Sequence, residues 1–193
     1  MPRPEILCRP VADAAEAAVH HRIRHEVFVT EQAVFADSDL DAQDASDHTI
    51  KVVAWSFSPL VGWDPGGAVR LYPLGDGDGR DAVWQGDRLA VLAPFRTWNL
   101  GGLLVRFAVE TAASLGGGEM VAHVQAANVR FFERLGWRRR GESELYVGLP
   151  HQLMAIDLTV PPGARRPAPD PAARGRRPVA AATPAEGPSP VRS

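Results

Sequence analysis

The segment DRLAVLAPFRTWNLGGLLVRFAVETAASLGGG, from Asp87 to Gly118, decides the architecture of the chain. Its first part predicts a strand that contains Leu89–Val91, and a proline follows. A helix then opens through Arg96–Gly102, carries apolar residues on one face and ends at the glycine run Gly116–Gly118. The free N–H groups and the positive end of a helix dipole point the same way, so a strand that passes through glycines into a helix predicts an anion-binding turn.

Around this segment, apolar periodicity predicts alternating helices and strands. We expect a first helix over Ala12–Gln32, three strands before the central helix, one strand and one helix after it, and two closing strands. The predicted ranges after the first helix are His48–Phe57, Gly67–Leu74 and Ala82–Leu92 for the three strands, Glu119–Gln125 for the next strand, Asn128–Gly136 for the last helix, and Glu142–Leu149 and His151–Val160 for the closing strands. The turn-rich VGWDPGG is expected to link the first two strands. This order predicts a mixed α/β layer architecture and not a doubly wound sheet.

Composition is that of one soluble domain, with 45% hydrophobic and 23% charged residues among 193. The net charge of −2 is uneven, because residues 161–193 hold nine prolines and six arginines against two acidic residues. Such a segment buries too little apolar surface to offset its ordering entropy. We therefore expect a folded domain over residues 1–160 and a disordered tail over 161–193.

Several classes of protein are disfavoured by the same sequence. The single cysteine, Cys8, excludes a disulfide framework, and no secretory leader or membrane span is evident. We expect a cytoplasmic protein with no metal site and no nucleic-acid or membrane partner, for which a homodimer is one allowed assembly.

Two motifs in this setting resemble those of the GCN5-related N-acetyltransferases (GNAT). The family's cofactor motif, Q/R-x-x-G-x-G/A, aligns with Arg96–Gly101, and NVRFFERLGW at Asn128–Trp137 is similar to the family segment beside the CoA arm. A narrower likeness, to the ElaA-like branch and to a subfamily encoded beside nitrilases, rests on RHEVFVTEQ, the acidic DSDLDAQD, Arg70 and the late Pro150-His151 pair. The resemblance covers about Ile6–Val160.

The resemblance implies the GNAT fold, with a mostly antiparallel sheet splayed between the family's fourth and fifth strands. In the family's numbering, the strand that holds Leu89–Leu92 is the fourth. The resemblance also implies acyl-CoA as co-substrate, with the pyrophosphate on backbone N–H groups at the helix start and the pantetheine along the fourth strand. The implied cofactor-binding residues are Leu89, Ala90, Val91, Arg96, Thr97, Trp98, Asn99, Leu100, Gly101, Gly102, Asn128 and Phe132. Asn99 stands where the motif has glycine, and asparagine is the side chain that best tolerates positive φ.

Amine acylation needs a proton acceptor for the ammonium and a proton source for the thiolate. The candidate bases are Glu31, Asp87, His123 and His151, and each also has a structural interpretation as an ion pair, a cap or a core histidine. The family's usual acid, a tyrosine, aligns with Phe132, which cannot donate a proton. Tyr146 on a closing strand, or water, then remains as the source.

The acidic loop has two interpretations. Asp37, Asp39 and Asp41 have the opening spacing of an EF-hand, but Ala42 and His48 occupy the glycine and glutamate positions, so the calcium match fails. The loop either attracts a cationic amine or is a solvated charge run, and Arg24 and Arg70 are alternative ion-pair partners for it.

The implied activity is transfer of an acetyl group from acetyl-CoA to a primary amine of a small molecule, directly and in a ternary complex. Two alternatives stay open. One is an acyl-homoserine-lactone-synthase-like acyltransferase, suggested by Arg24, Phe28 and the aspartates, although its expected tryptophan is missing near Val34. The other is a non-catalytic acyl-CoA-binding module, suggested by Asn99 and Phe132.

Overall fold

The computed structural model describes residues 4–75, 82–146 and 148–161. Seven strands form one sheet in the order β1-β2-β3-β4-β5-β7-β6. The strands are β1 (Glu5–Pro10), β2 (Ile50–Ser58), β3 (Gly62–Pro73), β4 (Val83–Val91), β5 (Glu119–Gln125), β6 (Arg138–Tyr146) and β7 (Leu149–Asp157), and the α-helices are α1 (Ala14–His25), α2 (Leu100–Ser114) and α3 (Val129–Arg134). All neighbouring strands pair antiparallel except β4 and β5, which are parallel. The predicted mixed, mostly antiparallel α/β fold is confirmed.

Alternation along the strands places two apolar clusters on opposite faces of the sheet. Val52 and Leu104 of α2 belong to the larger cluster, whereas Val53 and Ile23 of α1 belong to the smaller one. We call these the α2 face and the α1 face. The helices therefore cover both sides of the sheet, as α/β layering requires.

The first helix is shorter than predicted, because its α-helical part ends at His25 and a π-helical turn, Glu26–Glu31, follows. Asp13 caps the start by accepting a hydrogen bond from the backbone N–H of Glu16 at 2.9 Å. The wide turn closes with the N–H of Gln32 on the carbonyl of Val27. Such π-turns often occur at functional sites.

The sheet opens between β4 and β5. Their pairing covers only Val83–Gln85 against Glu119–Val121, after which the two strands separate. Farther along β4, the two-residue interval from Ala68 to Arg70 on β3 lies opposite a three-residue interval on β4, so β4 contains a β-bulge. The bulge contains Arg88, whose φ is 52°. The split lies where the predicted splay places it.

Two strand predictions are wrong. β1, which pairs with β2 and lies at the edge of the sheet, has no counterpart among the predicted strands. VGWDPGG is predicted as a linker, but β3 begins within it, at Gly62, and runs through Pro65. A register shift against Trp55 accommodates the proline. Proline is tolerated in a strand at such irregularities. The expected tail lies almost wholly outside the described residues.

Candidate active site

A cleft of about 140 Å³ occupies the split between β4 and β5. Its walls are Gln85–Leu89 of β4 and Met120 with Ala122–Gln125 of β5. On the α2 face it is lined by Val105, Ala108, Phe132 and Trp137, and on the α1 face by Phe28, Gln32, Val34, Phe35 and His151. Val69 and Asn128 complete the lining. The cleft therefore has an apolar side and a more polar side.

The apolar side combines α2 residues with Phe132 of α3 and with Trp137, which lies between α3 and β6. Phe132 of α3 is 7% exposed and packs edge-on against Trp137, with ring centroids 5.3 Å apart. Trp137 itself is 2% exposed. The side chain at 132 is thus a wall of the cleft and offers no proton.

On the polar side, Arg70 ties the wall strand β4 to β3 and to the acidic loop. Its guanidinium, which is fully buried, donates to both carboxylate oxygens of Asp87 at 2.8 and 2.6 Å. The same group donates to Asp41 at 2.6 and 2.8 Å. The hydrogen bond from Arg70 lowers the pKa of the Asp41 carboxyl.

Arg24 of α1, also fully buried, completes this network from the other side. It donates to Asp39 at 2.7 Å and to Asp44 at 2.5 Å. Burial opposes ionisation of Asp44, but the hydrogen bonds from Arg24 and from the backbone N–H of Asp41, together with the charges of Arg24 and Arg70, outweigh it and hold the pKa of that carboxyl far below its usual range. Asp39, Asp41 and Asp44 of the acidic loop are therefore ion-paired with Arg24 and Arg70, as the ion-pair alternative predicts, whereas Asp37 is exposed.

Arg88 joins the network from the β4 bulge. Its side chain donates to the backbone carbonyl of Asp39 at 3.3 Å and to Asp41 at 3.1 Å, and its guanidinium lies 4.9 Å from the ring centre of Phe35. A non-glycine residue at positive φ costs energy unless its surroundings hold it. These contacts stabilise the bulge and so help to keep the cleft open.

The predicted anion-binding turn follows β4. Residues Ala93–Trp98 form a 3₁₀ turn, Asn99 has φ 61° and ψ 25°, and α2 starts at Leu100. The left-handed conformation expected for Asn99 is confirmed. A Cβ at Gly102 would lie 2.6 Å from Oδ1 of Asn99, whereas one at Gly101 would meet nothing closer than 3.6 Å. Of the two glycines, only Gly102 is sterically required in this conformation.

Arg96, the first residue of the motif, is engaged with two groups. Its Nε donates to the carbonyl of Val91 at 3.0 Å, and its Nη2 donates to Glu31 at 2.5 Å. The hydrogen bond from Arg96 lowers the pKa of Glu31. Glu31 is not among the residues that line the cleft.

The two candidate histidines lie on the α1 face of neighbouring strands. His123 is two residues beyond Val121, the last β5 residue paired with β4, and its Nε2 lies 3.0 Å from Oε1 of Glu144. His151 is 6% exposed, and its Nδ1 donates to the carbonyl of Leu149 at 2.8 Å. Both histidines line the cleft.

The structure brings together part of the predicted site. The cleft lining includes the candidates Leu89, Asp87, His123, Asn128, Phe132 and His151. Ala90 is buried on the α1 face, Val91 packs near Gly101, and Arg96–Gly102 form the turn that leads from β4 into α2. Tyr146 is the last residue of β6, with its backbone opposite Leu149.

Sequence reasoning missed Arg88, Glu144, Gln85 and Gln125 as parts of this region. Glu144 lies on β6, and the sequence does not show which strand β6 pairs with. Only the fold places Glu144 near the cleft. Arg88 carried no signal, because arginine at positive φ has no sequence signature.

With this geometry in place, comparison with known proteins identifies the class. Residues 15–137 match the model of the acetyltransferase (GNAT) family, and the chain belongs to that family. It is 31% identical over 137 residues to YjcF of Bacillus subtilis (strain 168), named an uncharacterized N-acetyltransferase, across 70% of this chain and 88% of that protein. The chain is thus an acyltransferase.

Two solved structures share this fold. A proposed N-acetyltransferase from Lactobacillus plantarum superposes with a TM-score of 0.65 at 25% identity, over 81% of this chain and 99% of that one. Escherichia coli ElaA superposes with a TM-score of 0.63 at 21% identity, over 79% of this chain and 98% of that one. The second likeness is one of fold.

Within the part of the chain that the structure describes, no helix combines the length and apolar character that a membrane span needs. Within residues 4–75, 82–146 and 148–161, no three histidine, cysteine or acidic side chains are grouped so as to hold a metal ion.

Proposed function

We propose that this protein transfers an acetyl group from acetyl-CoA to the primary amine of a small molecule, directly and within a ternary complex. The observation that carries the proposal is the cleft in the β4/β5 split, with the bulged wall strand running straight into the turn before α2. A linear thioester needs an extended slot that ends at an anion site, and the succession of cleft, turn and helix start supports this assignment.

The cofactor would lie along the end of β4 and across the start of α2. Backbone groups of Leu89, Ala90 and Val91 would face the pantetheine amides, and the N–H groups at the start of α2 would hold the pyrophosphate. The proposed contacts on this arm also come from Arg96, Thr97, Trp98, Asn99, Leu100, Gly101, Gly102, Asn128 and Phe132. The α2 dipole favours an anion at this end.

The acceptor amine would enter from the α1 face. In the network on that face, Arg24, Arg70 and Arg88 pair with Asp39, Asp41, Asp44 and Asp87, and Lys51 donates to the backbone carbonyl of Asp44 at 2.7 Å, so the charges balance. Gln32 and Gln125 on the same side hydrogen-bond to each other at 3.3 Å and offer neutral polar groups to the rest of the acceptor.

The candidates for proton transfer are Glu31, Asp87, His123, His151 and Tyr146, and their contacts favour some of them over others. Glu31 is held by Arg96 and lies off the cleft lining, so it is a poor base. His123 and His151 lie on the cleft at the acceptor side. Tyr146 remains a proposed proton source at the end of β6, and Phe132 supplies none.

The experiment is CoA-thiol release from acetyl-CoA with a panel of polyamines, amino acids and aminoglycosides, together with calorimetric CoA binding. We expect turnover with at least one amine, and weaker CoA binding in Arg96→Ala and Gly101→Glu. Tight CoA binding without thiol release on any amine would instead favour the non-catalytic binding module. CoA binding unchanged in both variants would refute the proposed cofactor site.

The lactone-synthase alternative is tested in the same preparation. Acyl-CoA and S-adenosylmethionine are titrated separately while the thermal midpoint is followed. A shift with acyl-CoA alone supports the proposal, and a shift with S-adenosylmethionine supports the alternative. Membership of the ElaA-like branch, a cytoplasmic location and a homodimer are also proposals, the last to be tested by light scattering during size-exclusion chromatography.

A further inference from the structure

The α1 face of β5, β7 and β6 carries a row of polar side chains at the cleft. In register, His123 lies opposite Leu153, while His151 lies opposite both Gln125 and Glu144. Glu144 therefore reaches diagonally across β7 to place Oε1 3.0 Å from Nε2 of His123. The contact joins the cleft to the outermost strand of the sheet.

We propose that Glu144 is a positioning residue that orients His123 as the proton acceptor for the amine. This inference rests on the proposed function and names the base within that site. A carboxylate on one imidazole nitrogen selects the tautomer with the proton on that nitrogen. A proton on Nε2, beside the Glu144 carboxylate, leaves the lone pair on Nδ1 of His123.

The position of His123 suits the role better than that of its rivals. It lies just past the last β4–β5 pairing, on the acceptor side and beside the opening of the split. Asp87 is on the facing wall, but both of its oxygens accept hydrogen bonds from Arg70. His151 is 6% exposed, whereas the His123 side chain is 27% exposed, so His123 is the more accessible to an acceptor amine.

The step balances without a side-chain acid. Nδ1 of His123 takes one proton from the substrate ammonium, and the neutral amine attacks the thioester carbon. The new C–N bond forms, the C–S bond breaks, and its electron pair leaves on sulfur. The second proton of the attacking nitrogen passes to the thiolate, and the imidazolium returns its proton to water. A phenylalanine at position 132 is compatible with this route.

The test begins with wild-type CoA release on the best amine, followed by His123→Ala and His123→Gln. Loss of a general base lowers the rate about 10²–10⁴-fold, so we expect kcat to fall in that range while KM for acyl-CoA stays within about threefold. Added imidazole should restore His123→Ala at least about tenfold, since the deleted ring opens onto the cleft, and should leave His123→Gln slow.

Glu144→Gln tests the positioning role, with Glu142→Gln as the matched control on the same strand. Glu144 is 55% exposed as a side chain, so we expect a fall in kcat of only about threefold to tenfold, unchanged KM, and partial recovery in Glu144→Asp. Glu142 is exposed, and its variant should match wild type. Equal kcat in the two glutamine variants would refute the role of Glu144.

The two proposals fail in different ways. If the wild-type protein turns over an amine and His123→Ala keeps its kcat, or imidazole does not rescue a slow His123→Ala, the assignment of His123 is wrong and the function stands. If the wild-type protein releases no CoA with any amine, the proposed function is wrong and this inference falls with it.

Discussion

Arg70 of β3 donates hydrogen bonds to both carboxylate oxygens of Asp87 on β4, at 2.8 and 2.6 Å, and so fixes β4, the wall of the cleft, to β3. Asp87 follows the point where β4 leaves β5, and the bulge at Arg88 comes next. Where β4 has separated from β5, it is paired on one side only and lacks the backbone hydrogen bonds of the other side. The buried ion pairs hold it in place.

Removal of Arg70 should therefore destabilise the protein strongly. Arg70→Met leaves Asp87 without its guanidinium partner and Asp41 with Arg88 alone, and breaking a buried pair costs about 3–5 kcal/mol. We expect a loss of that size in urea unfolding. Arg106→Met, an exposed site on α2, is the control and should change stability by less than about 0.5 kcal/mol. Equal effects at the two positions would show that the network is not stabilising.

The left-handed residue before α2 gives a second prediction. Asn99→Val places a β-branched side chain at φ 61° and should cost about 1–2 kcal/mol. Asn99→Gly should be neutral within about 0.5 kcal/mol, because glycine adopts this conformation freely. Urea unfolding of the two variants measures the difference. A valine variant as stable as the glycine variant would contradict the conformation.

The two glycines of the motif should differ in their effect on cofactor binding. Gly102→Ala pushes against the Asn99 side chain, whereas Gly101→Ala meets only ordinary contacts. We expect CoA affinity, measured by calorimetry, to fall about tenfold in Gly102→Ala, equivalent to about 1.4 kcal/mol, and to change little in Gly101→Ala. The double variant Gly102→Ala with Asn99→Gly removes the clash and should recover most of the loss. Failure to recover would place the cause elsewhere.

Acid stability should depend on a buried histidine of α1. Burial lowers the pKa of His20 to about 3, and the neutral ring lies with Nε2 at 3.2 Å from the carbonyl oxygen of Val69. The unfolded chain takes up a proton at this residue near pH 6.5, but the folded chain does not. The stability from His20 is therefore complete above pH 6.5 and is lost as pH falls toward 3, at up to about 1.4 kcal/mol per pH unit.

His20→Gln should lower stability at pH 7 but flatten its dependence between pH 6.5 and 4. The exposed His48 provides the control, and His48→Gln should keep the wild-type slope. Below pH 4 both variants should still lose stability, because the pKa values of Asp41 and Asp44 are lowered in the folded state. Urea unfolding across this pH range is the measurement, and an unchanged slope in His20→Gln would contradict the burial argument.

Sequence alone predicted the parts of the fold that local chemistry dictates. Apolar periodicity located the central helix and the strands from β4 onward, and the preference of asparagine for positive φ anticipated the turn at Asn99. It did not reveal β1, since a short edge strand carries little periodic signal. It also misassigned the start of β3, because Pro65 indicates a turn in the sequence. In the structure, a register shift accommodates this proline within the strand.

The candidate site also has a part that the sequence predicted and a part that only the tertiary structure determined. The sequence determined the family, the cofactor motif and a set of candidate residues, because these depend on residue types at fixed spacing along the chain. Only the tertiary structure decided which acids are neutralised by Arg24 and Arg70, that Glu31 is bound to Arg96, and that Glu144 meets His123 across a third strand. Those contacts join residues up to 65 positions apart, and their formation depends on strand order and register, which no local pattern specifies.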